Sequence, residues 1–196
     1  ITPYAVSLTG GRVYDATTDV AASTLTIGTL INQETLNLSG VGTLATKNVG
    51  QNKAVGLGTL TLVDGTNGGL AINYALTGAR TATITVATIS TVSGITATDK
   101  TYDGNATASL VTSGAVFNGM FAGDVLSVAT STGVFNDARA ATGKTVSISG
   151  ITLGGTDAGN YTLTTSTAST TATIDPKALT VTALSQTKVY DSNTSV

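Results

Sequence analysis

The sequence predicts an all-β chain. Three observations carry that expectation. Apolar residues alternate with Thr or Ser at a period of two, turn residues interrupt the alternation at short intervals, and no run of ten or more residues has helical periodicity. The alternation is clearest at Thr24-Leu25-Thr26-Ile27, Thr35-Leu36-Asn37-Leu38, Thr59-Leu60-Thr61-Leu62 and Thr83-Ile84-Thr85-Val86. It returns at Val146-Ser147-Ile148 and Leu179-Thr180-Val181-Thr182. Successive strand side chains point to opposite faces, so Val, Ile and Leu can turn inward while Thr and Ser meet water. The β-branched residues also suit a pleated backbone. Turn signals separate these runs at Asp64-Gly65, Asn67-Gly68-Gly69, Asp103-Gly104, Gly154-Gly155 and Gly159-Asn160.

Composition narrows the chemistry. The 196 residues include 9 Lys+Arg, 11 Asp+Glu and no His, Cys or Trp, and Thr, Ala, Gly and Ser make up just over half of them. Without thiolate or imidazole, zinc, copper, haem and Fe–S sites are not expected, nor is a Ser–His or Cys–His nucleophile. Nine scattered basic residues against a net charge of −2 offer no footprint for nucleic acid. Mean hydropathy is +0.28, yet no apolar run reaches the roughly 18 residues of a membrane helix. Ile1-Thr2-Pro3 carries no signal-peptide features, and the sequence is expected to be an internal slice of a longer chain.

The sequence repeats itself. A basic-x-Tyr-Asp pattern occurs at Arg12–Asp15, Lys100–Asp103 and Lys188–Asp191, with the tyrosines 88 residues apart both times. Asn73-Tyr74-Ala75-Leu76 answers Asn160-Tyr161-Thr162-Leu163, and Thr81-Ala82-Thr83-Ile84 answers Thr171-Ala172-Thr173-Ile174. Gly50, Lys53 and Val55 answer Gly143, Lys144 and Val146 less evenly. Ile1-Thr2-Pro3 and Ile174-Asp175-Pro176 read as equivalent junctions. The expected organisation is therefore a first repeat at 1–86, a second at 87–176, and the opening strands of a truncated third at 177–196. A unit this long is an array of small domains, not a solenoid coil. About seven short strands with turns every 8–12 residues predict tandem immunoglobulin-like antiparallel β-sandwich repeats of about 88 residues.

At these residues the sequence resembles the YDG-type repeats of large bacterial secreted and surface adhesins, the filamentous-haemagglutinin-like exoproteins of two-partner secretion among them. The second repeat carries the likeness through Lys100-Thr101-Tyr102-Asp103-Gly104, Gly123-Asp124-Val125, Gly133-Val134-Phe135 and Gly143-Lys144-Thr145-Val146. It continues through Gly150–Leu153, Asp157–Tyr161 and Ile174–Val181. The first repeat departs from it, having Ala16 after Tyr14-Asp15, and the third has Ser192 after Tyr190-Asp191. The resemblance implies an extracellular or cell-surface structural module and supplies no catalytic residues, while composition and apolar run length lead us to expect no cofactor and no membrane insertion.

Recurrence in every unit assigns Tyr14, Asp15, Tyr102, Asp103, Tyr190, Asp191, Tyr74 and Tyr161 to a structural role. Tyrosine would anchor the sandwich, and aspartate would cap its own turn through a side-chain bond to backbone N–H. Tyr4, Phe117 and Phe121 do not recur and are the candidates for facing a ligand. One Asp per loop is too few carboxylates for a Ca²⁺ site, and the Asp residues sit in turns rather than as a glycosidase pair. Lys53 and Lys144 recur and are the lysines to inspect for a Lys–Asn or Lys–Asp crosslink.

The expected function is a stalk or spacer of an extracellular bacterial adhesin or matrix fibre, supporting adhesion or biofilm formation, with neighbouring repeats as partners. Two alternatives remain open at this point. The repeats themselves bind surface polysaccharide or host glycan, or like chains assemble into a filament through strand addition by 177–196.

Overall fold

The computed structural model describes residues 1–193. Its β-ladders fall into two groups, one within residues 4–85 and one within 87–175, and no ladder crosses between them among the described residues. The described residues are all-β, interrupted by single-turn 3-10 helices such as Ala71–Asn73 and Ala158–Asn160.

In the first copy a curled sheet runs in the order Asp19–Ala21, Val41–Leu44, Gly50–Gly56, Arg80–Thr85, Leu8–Val13, Leu25–Ile27. The second copy repeats the first five positions of this order with Thr107–Ala108, Ser127–Phe135, Ala141–Gly154, Ala168–Asp175 and Lys100–Thr101. The expected all-antiparallel arrangement is corrected here, because in each copy the opening strand lies parallel to the closing one. Leu8 stands beside Arg80, and Lys100 beside Ile174. A second parallel pair sets Tyr4 beside Tyr74 and Ala87 beside Tyr161. Parallel neighbours need a long connection, and here the rest of the copy supplies it. Alternation along a strand is the same for either direction of its neighbour, so the pattern carried no information on this point.

Registers align the copies more closely than sequence comparison does. Ala82 faces Lys53, and Ala172 faces Lys144. Asn52, rather than Gly50, is therefore the counterpart of Gly143, and both hold a left-handed backbone, with φ of +50° and +61°. The long hairpin of Ser127–Phe135 with Ala141–Gly154 slips register between Val128 and Thr132, which bends it. The first copy divides the same run into Leu36–Ser39 with Thr61–Asp64, then Val41–Leu44 with Gly50–Gly56. Gly40 marks the break, at φ +92° and with a Cβ position 2.2 Å from the Thr59 carbonyl oxygen.

Alternation places Ala82 and Ile84, and likewise Ala172 and Ile174, on the buried face. One continuous core passes from Leu8, Tyr14 and Ile84 of the first copy to Ile89, Ile148 and Tyr161 of the second. A smaller core in the second copy gathers Ala108, Phe135, Val146, Ala172 and Ile174. Only Val86 separates the end of Arg80–Thr85 from the start of Ala87–Ile89.

The expected opening strands of a third copy do not form over residues 177–193. Leu179 and Val181 join no sheet and are more than four-fifths exposed. In the first two copies the opening strand is held by the closing strand of its own copy, whereas residues 177–193 pair with no strand among the described residues. Residues 194–196 of that expected segment lie outside the described residues.

Candidate functional site

The basic-x-Tyr-Asp motif builds the same local frame three times. Asp15 accepts a hydrogen bond from the Thr17 N–H at 2.9 Å, Asp103 from the Asn105 N–H at 3.0 Å, and Asp191 from the Asn193 N–H at 3.0 Å. The base three residues earlier pairs with each carboxylate: Arg12–Asp15 at 2.5 Å, Lys100–Asp103 at 2.8 Å and Lys188–Asp191 at 2.9 Å. The same bases reach onward to the carbonyls of Thr17, Asn105 and Asn193. The residue after each Asp is left-handed, with φ of +63° at Ala16, +86° at Gly104 and +64° at Ser192. That conformation explains the glycine of the motif, since a Cβ disfavours it. The Lys100–Asp103 pair and the Asn105 N–H hold the Asp103 carboxyl below its ordinary range.

What the frame aims is the tyrosine. The Tyr14 N–H donates to the Thr85 carbonyl and the Tyr102 N–H to that of Asp175, both at 2.8 Å, which fixes each ring at the far end of its copy. Tyr14 is 1% exposed, and its burial comes from the second copy as well as its own. Its hydroxyl donates to Asp124 Oδ2 at 2.8 Å, and the Tyr161 hydroxyl donates to the same oxygen at 2.5 Å. Lys47 of the first copy pairs with Asp124 Oδ1 and with Asp157 Oδ1. Around this carboxylate the rings interlock edge to face, Tyr14 to Tyr161 at 5.4 Å and Tyr14 to Phe121 at 6.0 Å between centroids. Asn160 completes the seam by accepting from the Val49 N–H at 3.0 Å and donating to Asn48 Oδ1 at 3.3 Å.

The electrostatics follow from this geometry. Burial alone would raise the Asp124 carboxyl, but the Lys47 ammonium and the two tyrosine hydroxyls outweigh it and hold the group below the usual carboxylate range. Burial, followed by the hydroxyl bond to Asp124, pushes Tyr161 up to about 12 and raises Tyr14 as well. The bond to Asp124 raises Lys47. The Val125 N–H, with help from Lys47, lowers Asp157 despite its desolvation. The result is a buried, charged fastening between two copies, and every buried side-chain polar atom among the described residues has a hydrogen-bond partner.

The remaining residues singled out from sequence divide between this seam and elsewhere. Tyr74 occupies the place of Tyr161 in the first copy, donating to Glu34 Oε2 at 2.5 Å. Tyr102 and Tyr190 are 43% and 90% exposed. Tyr4, Phe117 and Phe121 do not share a groove. Tyr4 packs on Tyr74, Phe117 is buried across from Val92, and Phe121 lies against Tyr14. A cleft of about 610 Å³ beside Leu25, Glu34 and Leu38 has no aromatic lining residue, and a smaller one of about 370 Å³ is edged by Tyr74. Lys53 Nζ faces the Thr46 and Asn48 carbonyls and the Thr46 hydroxyl. Lys144 pairs with Asp137 at 2.7 Å, a half-exposed carboxylate rather than the buried acid a crosslink requires. No cluster of three or more potential metal ligands occurs among the described residues. Lys47, Asp124, Asp157 and Asn160 were not legible as site residues, although Gly123-Asp124 and Asn160-Tyr161 are landmarks of the repeat.

A protein-family model described as YDG domain matches residues 1–85 and, again, residues 85–170. No curated protein and no solved structure matches the chain.

Proposed function

The chain belongs to the YDG domain family, in two consecutive copies, and from that premise we propose that it is a non-enzymatic stalk segment of an extracellular bacterial adhesin or matrix fibre. Each copy is read as an immunoglobulin-like sandwich whose opening and closing strands are paired in parallel. The observation that carries the stalk reading is the seam around Asp124, where Tyr14 and Lys47 of one copy and Tyr161 of the next share one buried carboxylate. With a single residue between the flanking strands, this fastening leaves little freedom for one copy to swing against the other. Stiff joints between small domains set the reach of a distal binding region. The scattering of Tyr4, Phe117 and Phe121 favours spacing over glycan binding.

Small-angle scattering of the chain is expected to give an elongated monomer with two copies end to end, and a glycan panel is expected to stay at background. A compact profile would contradict the stalk, and saturable glycan binding would favour the lectin reading.

A further inference from the structure

We propose that the two copies expose the open halves of a second and third joint of the kind seen at Asp124, and that each half takes a further copy of this same repeat in line. The proposal rests on the reading of the chain as joined repeats and adds the residues that make the array continue.

The receiving half is on the first copy. Around the closed joint, the Phe121 N–H donates to the Tyr161 hydroxyl oxygen at 3.0 Å, and that hydroxyl donates to Asp124. In the first copy, the Ile31 N–H donates to the Tyr74 hydroxyl oxygen at 3.2 Å, and that hydroxyl donates to Glu34. Ile31, Glu34, Asn73 and Tyr74 thus stand where Phe121, Asp124, Asn160 and Tyr161 stand in the second copy. What differs is cover. Asp124 and Asn160 are buried beneath the preceding copy, whereas Glu34 is half-buried and Asn73 exposed. Glu34 is the only glutamate in the chain, and it lies at the one position where a carboxylate would meet an incoming tyrosine hydroxyl.

The inserting half is on the second copy. Tyr102 is held as Tyr14 is, by its N–H to the closing strand and by the same basic-Asp frame, yet 43% of it is exposed. The pairing registers of Leu44 with Val55 and Phe135 with Val146 make Ala138, Arg139 and Ala140 the counterparts of Lys47, Asn48 and Val49. A cation thus stands one residue from the Lys47 position, on an exposed loop, and complements Glu34. The Ala140 N–H corresponds to the Val49 N–H, and Asn73 to the Asn160 that accepts it. The receiving half departs from its counterpart in two respects: Leu70 stands where Asp157 gives Lys47 a second carboxylate, and Ile31 replaces an aromatic ring, while Tyr4, beside Tyr74 where Ala87 stands beside Tyr161, returns one.

The test is a tandem chain in which residues 1–173 run directly into Ile1 of a second full chain, so that Ile1-Thr2-Pro3 takes the place of Ile174-Asp175-Pro176. Its inner Tyr102 then faces the inner Glu34 and Tyr74, while the outer Tyr102 of the second chain stays open as a control. Inner Tyr102→Phe is expected to raise the unfolding equilibrium constant about tenfold in denaturant titrations, against less than about twofold for outer Tyr102→Phe. Inner Glu34→Gln combined with inner Tyr102→Phe is expected to be non-additive. Equal effects at the inner and outer sites, or strict additivity of the inner pair, would overturn the proposal. In that event a destabilising Asp124→Asn would still support the joint already described, so the two can fail separately.

Discussion

Tyr14 and Asp124 lie 110 residues apart in different copies of the repeat, and a 2.8 Å hydrogen bond joins them. The tyrosine of the repeated motif serves the boundary between copies, and its aspartate serves the tyrosine by fixing the turn that follows it. The motif follows the opening strand and is bonded to the end of the closing one, so its base, tyrosine and aspartate stand at the far end of each of the two copies.

Removing the shared carboxylate should be costly. Asp124→Ala leaves two buried tyrosine hydroxyls without their acceptor and Lys47 without its main partner, although Lys47 is partly solvated. The expected loss is about 2–4 kcal/mol in denaturant titrations. Asp124→Asn, which keeps an acceptor, should lose less. Indistinguishable midpoints would remove the seam from the account.

The seam should also set the acid limit of stability. Asp124 and Asp157 have folded values below their unfolded ones, so their contribution is present above about pH 4 and is lost as pH falls through the folded values. Circular dichroism melts stepped downward from neutrality should show this loss beginning near pH 4 in the native chain and reduced in Asp124→Asn.

At the alkaline end the sign reverses. Tyr161 is raised from 10.0 to about 12, so its contribution is complete below pH 10 and fades as pH climbs from there through 12. Tyrosinate absorbance should contain a late-titrating component to which Tyr161 and Tyr14 both contribute and which Tyr161→Phe reduces. Six tyrosines titrating together near pH 10 would contradict the geometry.

The left-handed residue after each motif aspartate gives a stabilising change. Ala16→Gly should raise stability by about 0.5–1 kcal/mol, because Ala16 sits at φ +63° where the second copy has Gly104. Gly104→Ala should lower it by a similar amount through backbone strain alone, since a Cβ there meets nothing within 4 Å. Thermal midpoints check both directions.

Much of the fold was legible because strand alternation and turn residues are local. Ala82, Ile84, Ala172 and Ile174 turn inward as their spacing requires. The parallel neighbour of the opening strand was not legible, because the direction of a neighbour leaves no trace in the period. Residues 177–193 carry the same alternation, yet a strand also needs a partner, and among the described residues they pair with none. The motif turn at Lys188–Asp191 forms regardless, because its contacts are local. The seam was only half visible. Tyr14 and Tyr161 stood out by recurrence, but Asp124 looks like any other turn aspartate until folding brings a lysine and two hydroxyls to it from as far as 110 residues away.

The account turns on a rigid connection between copies. The absence of cysteine allows single spin labels at the exposed positions Thr61 and Thr145, one in each copy. The distance distribution between them should be narrow in the native chain and broaden in Asp124→Ala. A broad distribution in the native chain, or a narrow one unaffected by the substitution, would contradict it.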